Sequence, residues 1–483
     1  MAASAHPRRH ASAGGGAGRR RRAAAGRHSG SAAPGCLQPR HDGLSGDGPV
    51  GQTADRRGRH LLRRLALSRV KSDAPGLPLR RLVLIFLAFA FTYFFSALLR
   101  AVTATLAPSF SAELGLRAAD LGLLAGAYFL GFAALQLPLG AALDRVGPRR
   151  VSLVLLLLAV IGCVAFALAR SLGELIAARL LIGMGVAACL MAPLTCYRRL
   201  YSPAAQLRAN SWMLMTGSLG MLASTLPVQW LLPHWGWRGL FWALAAGLLL
   251  AMAVLAWAVP RDAPAPADGA SAAGGGYRDV IRHPMFRRCV PLGFWLYGGM
   301  VAIQALWAGP WLTRVAGWSA QQAAQGLFVI NACMLLTFLA WGAAMPRLVA
   351  RGWDAMRLMR WGVPGSLVLL AGILLWPSAA GAWAWAAWCV SCTFISLSQP
   401  AIGQAFAPAL AGRALSAYNL VIFLGVFVVQ WGVGLLVDLA LARGASEREA
   451  FGLAFGTLGA MAALSYVWFV WPRRQAVILC ASE

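Results

Sequence analysis

Arg100 stands alone in an apolar run from Leu82 to Pro108, and Arg179 stands in a second run, "ARLLIGMGVAACL". A guanidinium at the centre of a bilayer costs roughly 2.5–3.5 kcal/mol on insertion scales, so each of these residues needs a use that offsets it. The chemistry it offers is recognition of oxygen anions, because its planar fork donates to two carboxylate or phosphate oxygens at once. Few acids accompany the two cations: Asp120, Glu174 and Asp438 fall near the ends of apolar runs, and Asp144 lies in a loop. Fixed positive charge without carboxylates attracts anions and leaves a cationic solute unpaired. For Arg100 three uses are open: substrate contact, hydrogen bonding to carbonyls, or exposure in an outer vestibule. Tyr128, Gln304, Asn331 and Gln430, with Trp307, are the remaining candidates for a cavity lining. Each polar one could equally make a hydrogen bond between helices.

Such residues need elements that hold them at membrane depth. The chain has 483 residues, of which 59% are hydrophobic and only 12% charged, against about 25% charged in soluble domains. Apolar runs long enough to cross a ~30 Å hydrocarbon core recur along most of it. Twelve spans are expected, near 82–107, 119–141, 150–169, 172–195, 209–232, 237–259, 289–312, 323–345, 358–377, 380–404, 414–437 and 451–472. This is an all-α, multi-pass membrane protein. A Pro/Ala/Gly linker followed by a basic amphipathic stretch, residues 260–288, divides it into two halves of six spans, 79–259 and 289–472. A short tail follows at 473–483.

The formal charge of +27 does not indicate nucleic-acid binding. The basic residues lie in the N-terminal tail and in short loops, not on the face of a soluble domain. Sixteen arginines fall in one set of loops and six in the opposite set, which places the first set and both termini in the cytoplasm. Lys71 is the only lysine, and the bias toward Arg, Ala and Gly suggests a GC-rich bacterial genome; the inner membrane is the expected location. Residues 1–78 read as a disordered basic tail without the apolar segment of a secretory signal. Translated upstream sequence ahead of a start near Val70 is the favoured reading, a cytoplasmic tail near anionic lipid the second, and a transit peptide a distant third. The nine cysteines have no framework spacing, and the Cys389–Cys392 pair lacks a redox-motif context, so neither disulfides nor a metal is expected.

"PLGAALDRVGPRR" closes the second span with an ordered set: Gly140, Asp144, Arg145, Gly147, Arg149 and Arg150. Gly140 would let a neighbouring helix approach, and Gly147 would allow a tight bend. The fourth span holds Arg179, Gly183 and Gly185 as R-x-x-x-G-x-G, and "HWGWRGLFW" precedes span six. A degenerate echo, "GAAMPRLVARG", begins at Gly342, with Pro346 where the first copy has Asp144. At these residues the sequence resembles the major facilitator superfamily. The resemblance implies two pseudo-symmetric six-helix bundles, a substrate site between them at mid-membrane, and transport by rocking. It implies a gating role for Asp144 and Arg145, alongside ordinary positive-inside anchoring. For Arg179 it implies helix packing or proton coupling more than ligand contact.

"YFFSALLRAVTATLAPSF" is similar to the first helix of organophosphate and related organic-anion transporters, where an arginine lies at the binding site, and Arg100 falls on that position. The second arginine of their phosphate clamp is missing: span seven, "FWLYGGMVAIQALWAGPWL", offers Gln304 and Trp307 instead. A monoanionic carboxylate therefore fits better than a phosphate dianion. Nitrate carriers are disfavoured because spans two and eight show Tyr128, Gln136 and Asn331 but no arginine. Span five has Gly217 and Gly220 with Pro227 later, not the G-P-x-x-G of drug antiporters. The reading is a permease, not an enzyme, that moves a small organic anion without a cofactor and acts as a monomer, with a coupling proton or ion left open. Efflux of drugs or metabolites on the same fold, a transporter-like sensor, and a structural or assembly membrane protein with no ligand are the rivals.

Overall fold

A segment in lipid must satisfy its own backbone polar groups, which helices do, and the described residues of this chain form helices and no strands. The computed structural model describes residues 78–201, 203–261, 276–377 and 380–471. The expected basic tail (apart from Pro78), most of the linker and the C-terminal tail lie outside the described residues. So does the side chain of Asp144.

The first half runs α1 Leu79–Leu114, α2 Ala118–Ala134, α3 Gln136–Arg145, α4 Pro148–Leu168, α5 Leu172–Gly185, α6 Ala188–Leu200, α7 Pro203–Ala223 and α8 Leu226–Ala258. A short α9, Tyr277–Arg282, leads into the second half. There α10 covers Pro284–Val315, followed by α11 Ala320–Ala350, α12 Ala355–Leu375, α13 Ala382–Cys392, α14 Ser398–Ala405, α15 Pro408–Ala442 and α16 Glu447–Val470. Local chemistry sets several ends. Gly115 stops α1 in the left-handed region at φ 62°. Ser319 and Ser446 begin α11 and α16 with reciprocal caps to Gln322 and Glu449.

Among the described residues, nine helices are long and apolar enough to cross a membrane, and α2 with α3, bent by 42°, makes a tenth. The other two expected spans are interrupted. Span five breaks at Ser224–Thr225, whose hydroxyls donate to the carbonyls of Met221 and Leu222. Span ten tightens into a 3-10 stretch at Thr393–Leu397, with Thr393, Ser396 and Ser398 bonding back to carbonyls three residues earlier. Such local bonds compete with the regular ladder.

α10 is irregular in another way. Gly293–Tyr297, Ile303–Trp307 and Trp311–Val315 are π-helical, alternating with ordinary turns. Wide turns of this kind concentrate at functional sites.

The helices before and after α9 pack against each other along α2 with α15, α7 with α11, and α1 with α10. Exposed Leu, Val and Trp side chains, such as Leu157, Leu250, Leu336 and Trp257, cover the outside, as lipid contact requires.

Candidate substrate site

α1 carries the site along one face. Tyr93, Ser96, Arg100 and Thr103 follow at steps of three and four, which stacks their side chains. Arg100 is half-buried where its neighbours Ala97–Leu99 and Ala101–Ala107 are all buried. Among the described residues its guanidinium makes no ion pair and no bond to a carbonyl, and its Nε has no hydrogen-bond partner. The hydroxyls of Ser96 and Thr103, on either side, are likewise unpartnered. The Tyr128 hydroxyl lies within hydrogen-bonding reach of the guanidinium, and the phenols of Tyr93 and Tyr297 lie close enough to interact with it electrostatically. The Tyr128 hydroxyl donates to the Ser96 carbonyl at 3.0 Å, so its lone pairs are turned toward Arg100. Tyr297 comes from α10, so both halves contribute to this ring.

Arg179 sits behind the same tyrosine, fully buried. Its Nη1 donates to the Leu99 carbonyl at 2.8 Å, while Nε and Nη2 have no partner. The guanidinium lies 6.0 Å from the Tyr128 ring centre, 5.4 Å from Phe166 and 5.9 Å from Phe241, within reach of cation–π attraction. Of the two arginines, Arg179 is the one bonded to a carbonyl. Tyr128 thus stands between two cations.

Glycines make this closeness possible. A Cβ on Gly183 would lie 1.9 Å from the Tyr128 carbonyl oxygen, and one on Gly185 would lie 2.3 Å from the Ala159 nitrogen. The helix-4 motif therefore presses α5 onto α2 and α4, and so sets where Tyr128 and Arg179 meet.

The candidates from the second half behave differently. Gln304 Nε2 donates to Asn331 Oδ1 at 3.0 Å, and Asn331 Nδ2 to the Leu327 carbonyl at 2.9 Å. The Trp307 indole donates to the Gln430 carbonyl at 3.1 Å. These four are buried in bonds between or along helices. Only the side-chain amide of Gln430, whose nitrogen and oxygen both lack partners, is still free to bind.

The two ends of the interface also differ. At the end bearing few arginines, Asp438 of α15 accepts from the backbone N–H groups of Ala118 and Ala119 at 3.1 and 2.8 Å, capping α2 across the halves. Below it, a Cβ on Gly122 would lie 2.2 Å from the Gln430 carbonyl, and one on Gly434 2.4 Å from that of Ala118. This end is shut by backbone on backbone. On the same side Trp237 and Arg238 both donate to Glu113 beyond the end of the first span. The indole N–H and the guanidinium hold that carboxyl below the usual range.

At the opposite end, Gly147 begins α4 at φ 97°, a conformation that favours glycine. Arg149 donates to the Ala256 carbonyl at 2.6 Å, tying the loop to α8. Arg145 and Arg150 are exposed. The close helix approach expected at Gly140 is absent among the described residues, since a Cβ there would meet none of them within 4 Å. The crowding falls on Gly122, Gly131 and Gly183 instead, where helix axes cross rather than where one ends.

The Major Facilitator Superfamily model matches residues 89–430. The chain belongs to the Major Facilitator Superfamily. A gallate transporter of Pseudomonas putida is 30% identical over 282 residues, covering 50% of this chain and 61% of that protein. The chain thus spans about three-fifths of the length of that curated relative. A bacterial homologue of the human lysosomal transporter Spinster, solved inward-facing and unoccupied, is similar with a TM-score of 0.65 at 17% identity, over 82% of this chain and 97% of its own. A D-xylose–proton symporter gives 0.66 at 16% identity, over 80% and 97%. As a member of this superfamily the chain is a multi-pass membrane protein.

Two residues of the ring, Tyr93 and Tyr297, are not among the sequence candidates, although Tyr93 opens the span-one stretch likened to organic-anion transporters. A signal for the first exists: Gly217 of α7 lies where a Cβ would come within 2.5 Å of the Tyr93 ring. A glycine in that span marks a place where a bulky neighbour is received.

Proposed function

We propose that this superfamily member carries a small organic monoanion, a carboxylate, between the two faces of a bacterial inner membrane, with Arg100 as the anchor for its charge. One observation supports this most: a half-buried guanidinium at the interface of the halves, lacking an acid or carbonyl partner, with two unpartnered hydroxyls beside it. Buried polar groups are normally satisfied, and a bidentate carboxylate would satisfy this set. The three surrounding phenols suit a substrate that carries ring hydroxyls as well. The gallate transporter relative, named for a trihydroxybenzoate, agrees with that chemistry.

The apolar runs support twelve crossings and the arginine distribution supports cytoplasmic termini, and the Asp438 end is then the outer one. Transport proceeds by rocking of the halves about the site. Asp144 and Arg145 steady the inner end, and Arg179 holds α1 against α5 beside the anchor. The rest of the proposed lining is Tyr128 and Gln430, with Gln304, Trp307 and Asn331 behind it.

The test is a thermal-shift comparison of gallate and benzoate with the neutral pyrogallol on the purified protein. The carboxylates should stabilise it, and Arg100→Gln should weaken their binding about 10–100-fold, the equivalent of about 1.5–3 kcal/mol of charge-assisted bonding. Equal stabilisation by pyrogallol, or unchanged binding in the variant, would sink the reading.

A further inference from the structure

A cavity of about 260 Å³ lies on the Asp438 side of the molecule, walled by α1 on one side and by α10 and α11 on the other. It is separate from the Arg100 site but aligned with it. Arg100, Ala104, Ala107 and Ser111 follow at steps of four, three and four along α1, and the last three belong to the cavity. Ser111 is therefore about 16 Å further along the same helix face. The floor between the two sites is the contact of α1 with α10, where a Cβ on Gly309 would lie 3.0 Å from the Ala104 carbonyl oxygen.

Of the polar side chains in this cavity, one hydroxyl lacks a partner and one guanidinium is loosely paired. Ser111 Oγ is buried without a partner. The Arg314 guanidinium, with a side-chain exposure of 31%, has Glu447 at 3.7 Å, beyond the ~2.7–2.9 Å of a charge-assisted hydrogen bond. The hydroxyls of Thr105 and Thr313 are committed to the carbonyls of Ser224 and of Gly309 and Pro310. The rest of the wall is apolar, with Leu327 on one side and the Trp318 indole on another. The volume falls just under the usual range for ligand pockets, about 300–1,000 Å³, so it suits a single-ring molecule. Cation and hydroxyl at one part, aromatic and aliphatic wall at the rest: that is the complement of an aromatic carboxylate.

We propose that this cavity is a second anion site, an entrance station in which Arg314 and Ser111 hold a small aromatic carboxylate before the α1–α10 contact opens toward Arg100. The inference rests on the proposed function for the anions carried and for the Asp438 end as the outer one. Occupation draws Arg314 further from Glu447 and leaves Arg100 untouched.

Equilibrium dialysis of radiolabelled gallate against the full chain in nanodiscs tests it. Wild type should bind two molecules, and Arg314→Gln, Arg100→Gln and Ala320→Phe one each. Ala320 also lines the cavity, and its replacement fills the space while keeping the Arg314–Glu447 pair. One molecule on wild type and none on Arg100→Gln would overturn the station and leave the anchor standing. One molecule on both, lost in Arg314→Gln, would establish the station and sink the anchor. No binding to any form would overturn both. Two molecules on Ala320→Phe with one on Arg314→Gln would also overturn the station, since the arginine would then act outside the cavity.

Discussion

The polar centre of the first half is cationic and open, whereas that of the second half is neutral and almost closed. Around Tyr128 two guanidinia meet with no acid among the described residues, and the hydroxyls of Ser96 and Thr103 wait for partners. Around Gln304 the amides satisfy one another, and Trp307 spends its N–H on a backbone carbonyl. Charge is thus concentrated on one half, and the other supplies mainly shape and the Tyr297 phenol. On the proposed function, one bundle grips the solute and the other closes on it, so the two halves should fail differently.

The sharpest break is at Gly183. A valine there would push methyl groups into the Tyr128 carbonyl, where even a bare Cβ comes within 1.9 Å, and overpacking of this kind costs about 3 kcal/mol or more. Gly183→Val should abolish monodisperse protein in size-exclusion chromatography, or leave a remnant that binds no gallate. In the second half, Gln304→Leu strips Asn331 of its donor, with a cost of about 1–3 kcal/mol in stability. Because the network lies apart from the charge, gallate affinity measured by dialysis should stay within about twofold. A loss as large as that of Arg100→Gln would erase the distinction between the halves.

Weaker effects sharpen it at the shared interface. Asp438→Ala removes a cap worth about 1 kcal/mol, so spin-label distances across the Asp438 end should show an open population roughly fivefold larger, with Tm scarcely changed. The smallest effect concerns Glu113. Its folded carboxyl titrates below the ordinary value of 4.5, so its contribution is present above that value and is lost as the pH falls through the lowered one. Glu113→Gln should lower Tm modestly at pH 7, by the equivalent of about 0.2–1 kcal/mol for such an exposed cluster. The difference should shrink below about pH 4.5 and then vanish. A constant difference down to pH 3 would show that the Trp237–Arg238 clamp acts through packing alone.

How much of this was legible in the sequence follows from how unusual each residue is in its surroundings. An arginine in a leucine run announces itself, and so do Gly183 and Gly185 beside Arg179. Tyr93 and Tyr297 do not, because an aromatic ring is at home in lipid, packing or a site alike. Only the pairing of α1 with α10 brings Tyr297 to Arg100. The breaks at Ser224–Thr225 and Thr393–Leu397 were hidden for a related reason: hydroxyls inside an apolar run can satisfy a neighbouring carbonyl with or without distorting the helix. Asp438 read as an acid near a boundary, and its role depends on a helix 320 residues away in sequence.

The π-helical turns of α10 give that helix slack. Each holds one residue more than a regular turn needs, so rewinding it shifts the chain by ~1.5 Å and rotates whatever lies beyond by ~100°. Tyr297 and Trp307 each end one such turn. Span seven can therefore change what it shows Arg100 by winding tighter, turning the stretch beyond the rewound turn as it does so.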